Sequence, residues 1–248
     1  MISYRVIARL DIKGDKLVKP YQFEGLRVLG KSAEFAKRYA DEGADELLYL
    51  DIVASLYGRN QLHGLIESAS EEVFVPITVG GAVSSTGQVA DLMVAGADKI
   101  AINSHALGNL RVLQEIVCRF GSQAVTVSIE AKRVNGGWEA YTDCGRIPSG
   151  KDAIRWAQEA VALGAGEILV TSIDCDGVRR GPDLALLRAM QACDLSVPMI
   201  YSGGIRLQDV AEIAQYSDGM AIGASLHYGD CTIQQVKDEL RKAGKEVR

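Results

Sequence analysis

Apolar residues recur along this chain in two alternating rhythms. Short runs rich in Val, Ile and Leu begin at Val6 (VIARL), Glu46 (ELLYLDI), Val75 (VPITVGG), Lys99 (KIAIN), Ala124 (AVTVSIE), Glu167 (EILVTSI), Val197 (VPMIYSGG) and Gly219 (GMAIGAS). Runs of this length, closed by Gly or polar residues, predict buried strands. Between them the apolar positions repeat at helical spacing: Lys31 to Glu42, Thr86 to Ala95, Leu110 to Phe120, Lys151 to Leu163, Asp183 to Ala192, Leu207 to Gln215, and a final amphipathic stretch from Thr232. Strand followed by helix, eight times over, predicts an α/β protein of parallel strands with helical crossovers. A (β/α)8 barrel is the expected architecture. A doubly wound open sheet is the alternative, because counting strands does not show closure.

The same rhythm repeats at half length. Residues from about 1 to 120 lie on those from 121 to 248: GADELLYLDI from Gly43 matches GAGEILVTSI from Gly164, VPITVGG matches VPMIYSGG with one inserted residue, and LDIK from Leu10 matches IEAK from Ile129. A (β/α)8 TIM barrel built from two similar half-barrels follows, with strands 1 and 5 facing each other across the mouth. Asp11 and Glu130 are then pseudo-twofold mates. Two connections stand out from this plan. Lys13 to Gly30 is long for a βα loop, a length that at the C-terminal face of a barrel usually serves binding. The stretch from Arg133 reads as a hairpin turned at Asn135 and Gly136.

Length and composition narrow the picture. With 248 residues the chain fits one barrel domain, 1–248, large enough to bury its own core. A net charge of −5 without a long basic run predicts no nucleic-acid or membrane partner. The five cysteines form no CxxC pair and have no His neighbours at metal-binding spacing, so neither metal nor disulfide framework is expected. Arg5, Arg9 and Asp11 interrupt the place of a signal peptide, and no run approaches the roughly 18 apolar residues of a membrane span. A cytoplasmic enzyme acting on small molecules is the class that remains.

Catalytic groups of such barrels stand at strand C-termini, which singles out Asp11 and Glu130 as a pair of carboxylates for proton transfer. A carboxylate that merely orients a loop is the plainer reading, and opposed placement on symmetric strands argues against it. Gly80, Gly81 and Ala82 follow strand 3, and Gly203 and Gly204 follow strand 7. Asn103 with Ser104, and Ala224 with Ser225, follow strands 4 and 8. Small residues there let backbone N–H groups and helix starts approach anions. A single Gly-Gly would be read as a tight turn; two symmetric nests predict a substrate with two phosphates. His63, His105 and His227 occur singly and read as surface or loop residues, and Trp138 and Trp156 as packing residues.

Taken together, LDIKGDKLVKP, DELLYLDIVAS, PITVGGAV, GADKIAIN, FGSQAVTVSIEAKR, GAGEILVTSIDCDG and SGGI resemble the HisF family over essentially the whole chain. These are the cyclase subunits of imidazole glycerol phosphate synthases. The resemblance implies use of ammonia from a HisH-like glutaminase subunit, in a heterodimer. The ammonia converts a bisphosphorylated formimino aminoimidazole carboxamide ribonucleotide to imidazole glycerol phosphate and an aminoimidazole carboxamide ribonucleotide, for histidine synthesis. No cofactor is implied. By position, Asp11 is a catalytic carboxylate, Lys19 reaches the substrate from the long first loop, and Asn103, Thr171, Ser172 and Asp176 line the site. Phosphate sites fall on Ala82, Asn103 and Ser104, and on Gly177, Gly203, Ala224 and Ser225. Arg5, Glu46, Lys99 and Glu167 match a charged gate on an ammonia path at the opposite face; a bottom-of-barrel ion cluster serving stability is the plainer reading. Asp98 and Gln123 match positions that face the glutaminase.

The chain departs from the family pattern at several positions. Glu130 stands where the family has Asp, moving the carboxylate by roughly an ångström, a shift that can cost about 100-fold unless the site is rebuilt. Arg9 replaces a small residue two before Asp11 and is expected inside the barrel, depressing the Asp11 pKa and filling part of the ammonia path. Ala82 and Tyr201 replace Gly and a small residue, and are expected to tighten the mouth. These departures raise a second reading, a paralogue that supplies ammonia for amidine formation on a glycan sugar. A HisA-like sugar isomerase is a distant third, having no need of the charged ring.

Overall fold

The computed structural model describes residues 3–22, 24–54 and 62–248; Ser55, at the end of the DELLYLDIVAS run, lies outside them. Eight parallel strands close on themselves: β1 (Arg5–Lys13), β4 (Glu46–Asp51), β5 (Ile77–Gly80), β6 (Lys99–Ile102), β7 (Val125–Val134), β10 (Glu167–Ser172), β11 (Met199–Ser202) and β12 (Gly219–Ile222). Pairing of β1 with β12, Arg5 beside Gly219, completes the circle and settles barrel over open sheet. β1 and β7 stand four places apart in the ring of eight, so they face each other.

Alternation along each strand divides the interior from the helix layer. On β1, Val6, Ala8, Leu10 and Ile12 join the outer core between sheet and helices, whereas Ile7 packs inside with Leu48, Ala101, Leu169, Ile200 and Ala221. That small apolar plug separates two polar layers, one at each end of the barrel. Helices cover the outside, among them α1 (Ser32–Asp41), α2 (Leu62–Glu72) and α3 (Thr86–Val94). The last, Ile233–Lys242, starts with a reciprocal capping box between Thr232 and Gln235.

Three segments differ from the sequence expectation. The long first connection is an antiparallel hairpin, β2 (Lys16–Tyr21) with β3 (Glu24–Lys31), folded back on β1. Its alternation is masked by Lys and Gly, and so reads as loop. The hairpin after β7 turns at Asn135 and Gly136, both at positive φ, and continues through β8 (Gly137–Thr142) to a third strand, β9 (Ile147–Asp152). Lys151 and Asp152 are therefore strand rather than helix, with Asp152 capping the helix that follows. Helix α2 has only Leu62, Ile66 and Ala69 buried, too sparse a stripe to stand out in the sequence.

Candidate active site

Asp11 ends the inward row Ile7, Arg9, Asp11 on β1 and is wholly buried. Both its oxygens are held by cations. Arg9 Nε donates to Oδ1 at 2.8 Å, and Lys19 Nζ, brought over by the β2–β3 hairpin, donates to Oδ2 at 2.9 Å. Lys19 also donates to both oxygens of Asp176, at 3.0 and 3.1 Å. The hairpin is pinned there by Gln22, whose amide donates to the Asp176 carbonyl. Gly177, at φ +69°, lets the hairpin approach: a Cβ would come within 2.4 Å of the Pro20 carbonyl oxygen. Burial alone would raise the Asp11 carboxyl, but Arg9 and Lys19 outweigh it and hold the group far below the usual carboxylate range. Lys19, penalised by burial, is raised by Asp11 and Asp176.

Glu130, opposite on β7, has a different environment. Its Oε2 accepts one neutral partner, the Gly145 amide at 2.7 Å, from the turn between β8 and β9. Burial pushes its carboxyl up to about 7 against the pull of Arg9. It borders an open cleft with about 560 Å3 of empty space, lined also by Asp51, Gly81, Ala82, Asn103, Ser104 and His105. Ala82 adopts φ +48°, a left-handed conformation that Gly would take without strain. The β8–β9 turn closes over this cleft, with Asn103 Nδ2 donating to the Tyr141 carbonyl and Ser104 Oγ accepting the Asp143 amide. A second, smaller cleft of about 290 Å3 lies beyond Asp176, between Gly177, Gly203, Gly204, Ala224 and Ser225, with Arg179 at its edge. The cluster of Arg9, Asp11, Lys19 and Asp176 thus sits between two clefts, one bordered by Glu130 and the other by Asp176.

Two expected residues face elsewhere. Tyr201 points out of the barrel into the outer core, where its hydroxyl accepts the Asp183 amide at 2.8 Å, so it does not narrow the mouth. The inward residue is its neighbour Ser202, as strand alternation requires. Ser172 is fully buried beside the Cys175 thiol and lines neither cleft; inward-facing Thr171 accepts from Arg9 instead. Nor is His227 a surface residue. Its Nδ1 meets the Tyr39 hydroxyl at 2.7 Å, its ring packs edge-on to Phe35, and burial pushes its pKa down to about 3.

At the other end of the barrel Arg5, Glu46, Lys99 and Glu167 close a ring. Lys99 Nζ lies 2.7 Å from Glu46 and 3.3 Å from Glu167; Arg5 reaches Glu46 at 3.3 Å and contacts Glu167 as well. Thr78 and Thr126 donate to the two glutamates from inside. Burial opposes ionisation of Glu167, but Lys99 and Arg5 hold its carboxyl below the usual range. Asp98 and Gln123 are exposed near this end, Asp98 tied to the Ile77 amide at 2.8 Å. Phe74, 93% exposed, lies shortly before β5, and Val94, 84% exposed, ends α3 just ahead of Asp98. Single apolar residues such as these carry no sequence signal of exposure. Among the described residues no cluster of His, Cys, Asp and Glu could hold a metal ion, and no helix is long and apolar enough to cross a membrane.

The family model for histidine biosynthesis proteins matches residues 5–232. The chain belongs to that family. Its relatives include imidazole glycerol phosphate synthase subunit HisF of Legionella pneumophila, 51% identical over 83% of this chain and 97% of that protein. The HisF subunit of Myxococcus xanthus is 45% identical over 100% of this chain and 99% of its own length, and that of Bacillus cereus 42% identical over 100% of both.

Proposed function

We propose that this chain is the cyclase subunit of an imidazole glycerol phosphate synthase. It takes ammonia from a glutaminase subunit and converts the bisphosphorylated formimino ribonucleotide to imidazole glycerol phosphate and the aminoimidazole carboxamide ribonucleotide. The observation that carries this reading is the placement of two small-residue clefts on either side of one buried charge cluster, in a chain whose relatives bear the HisF name. A substrate with a phosphate at each end spans such a site. Ala82, Asn103 and Ser104 take one phosphate, and Gly177, Gly203, Ala224 and Ser225 the other. The reacting carbons then lie over Asp11, Lys19 and Glu130, under the two hairpins that exclude water. Thr171 and Ser172 serve the scaffold rather than the substrate.

Ammonia enters at the ring of Arg5, Glu46, Lys99 and Glu167, with the glutaminase docked on the same face over Asp98, Gln123, Phe74 and Val94. It attacks the substrate carbonyl, the formimino linkage is cleaved, and the imidazole ring closes with proton transfer by a buried carboxylate. The glycan-amidine reading raised by Arg9 and Glu130 finds no support among these relatives, each of which is named as a synthase subunit. Purified protein supplied with the formimino ribonucleotide and ammonium salt at alkaline pH should release both products, and Asp11→Asn should abolish turnover. Folded protein that binds the substrate and turns none of it over would sink the proposal.

A further inference from the structure

Arg9 is among the largest fully buried side chains of the molecule, 1% exposed. It leaves β1 and crosses the barrel interior, its Nη1 donating at 3.1 Å to both Thr171 on β10 and Ser202 on β11. These hydroxyls fix the guanidinium without neutralising it, and Ser202 is itself aligned by donating to the Ala221 carbonyl at 2.8 Å. We propose that Arg9 is a positioning residue that makes the two facing carboxylates unequal: it locks Asp11 as a permanent anion, leaving Glu130 alone to carry the proton in the reaction. The proposal rests on the cyclase reading above.

Geometry separates the two groups. Asp11 has a buried cation at each oxygen, Arg9 at 2.8 Å and Lys19 at 2.9 Å, and protonating either oxygen would leave both cations facing a neutral carboxyl. Glu130 accepts one backbone N–H and opens on the larger cleft. The charged and titratable groups around Glu130 include Arg9 and Asp11 from β1, Asp176 from the segment after β10, Cys144 with Arg146 from the turn above it, and Asp51 of β4 and His105 across the shared cleft. Lys19 is engaged with Asp11 and Asp176, so Arg9 is the cation that sets the balance between the two carboxylates. As ammonia adds to the carbonyl, a C–N bond forms and the C=O π bond breaks. Glu130 takes a proton from the new ammonium nitrogen and delivers it to the former carbonyl oxygen, giving a carbinolamine. A second proton carried the same way from nitrogen to the hydroxyl lets the C–O bond break, and water leaves as the imine forms. Asp11 and Lys19 stay paired throughout and hold the electrostatic field.

The test is carboxyl NMR titration of the whole protein labelled in Asp and Glu side chains, without substrate. It is run on the wild type, Arg9→Lys and Arg9→Met, beside pH profiles of ammonium-driven turnover. In the wild type Asp11 should stay ionised down to about pH 3, while Glu130 titrates near its raised value of about 7 and the kinetic profile follows it. In Arg9→Met the Asp11 midpoint should rise by about one pH unit or more and the Glu130 midpoint by less, since only Asp11 loses a hydrogen bond along with the charge, and Arg9→Lys should restore much of that difference. A wild-type Asp11 that titrates in the ordinary carboxylate range would overturn the proposal, and needs no variant that folds. So would midpoints unmoved in folded Arg9→Met. Titration as expected without turnover would refute the catalytic use of Glu130 and the cyclase reading, while the lock on Asp11 stands.

Discussion

At the scale of single residues, the difference between Asp11 and Glu130 is one of partners. Glu130 was legible as a site residue because LDIK and IEAK repeat, and Arg9 as an interior cation because it lies two residues before Asp11 on a strand. The same alternation turns Tyr201 outward and Ser202 inward, whereas a family pattern matched by position carries no strand parity. What no sequence rule reveals is the Gly145 amide, 2.7 Å from Glu130 and fifteen residues away in a turn. That contact shows a site fitted to the longer acid. Glu130→Asp would withdraw the carboxyl from Gly145 by roughly an ångström, and kcat for ammonium-driven turnover should fall by about 10- to 100-fold rather than rise. An unchanged kcat would mean that the turn follows the shorter side chain.

At the scale of elements, the eight strands and most helices could be placed from periodicity, because each buries a continuous face. The β2–β3 hairpin could not, because its role is to carry one cation across the mouth. Its seat depends on Gly177. In Gly177→Ala a Cβ at φ +69° would meet the Pro20 carbonyl, so the hairpin must lift. Lys19 then loses its seat between Asp11 and Asp176. Limited proteolysis should cut the hairpin faster, and turnover should drop at least about tenfold, since leaving buried charges unpaired costs roughly 3–5 kcal/mol. The short helix Ala224–His227 beside the smaller cleft carries a second device. Burial, helped by Lys19, keeps His227 neutral down to about pH 3. The unfolded chain gains that proton below about 6.5, so folded-state stability is intact above this pH and declines as pH falls toward the folded value. Urea unfolding at pH 7 and pH 5 should show a loss that His227→Gln largely removes.

At the scale of the whole molecule, the barrel has two polar ends joined through a dry middle of Ile7, Leu48, Ala101, Leu169, Ile200 and Ala221. The charged ring at one end was foreseen only through the family resemblance. Four charges on four strands share no motif, and closure alone brings them together. If the ring controls entry of ammonia from a docked glutaminase, its integrity matters for one nitrogen source and not the other. Lys99 bridges Glu46 and Glu167, and Lys99→Met would leave both glutamates to Arg5 and open one side of the ring. Ammonium supplied from solution reaches the site from the mouth and bypasses the ring, so ammonium-driven turnover should change less than about twofold. Turnover driven by glutamine, in the complex with the glutaminase, should fall severalfold while ammonia escapes to solution. The cost in stability should be modest, because Lys99 is partly exposed and Arg5 still neutralises part of the pair. Equal losses from both nitrogen sources, together with a lowered Tm, would make the ring a structural ion cluster and place the entry of ammonia elsewhere.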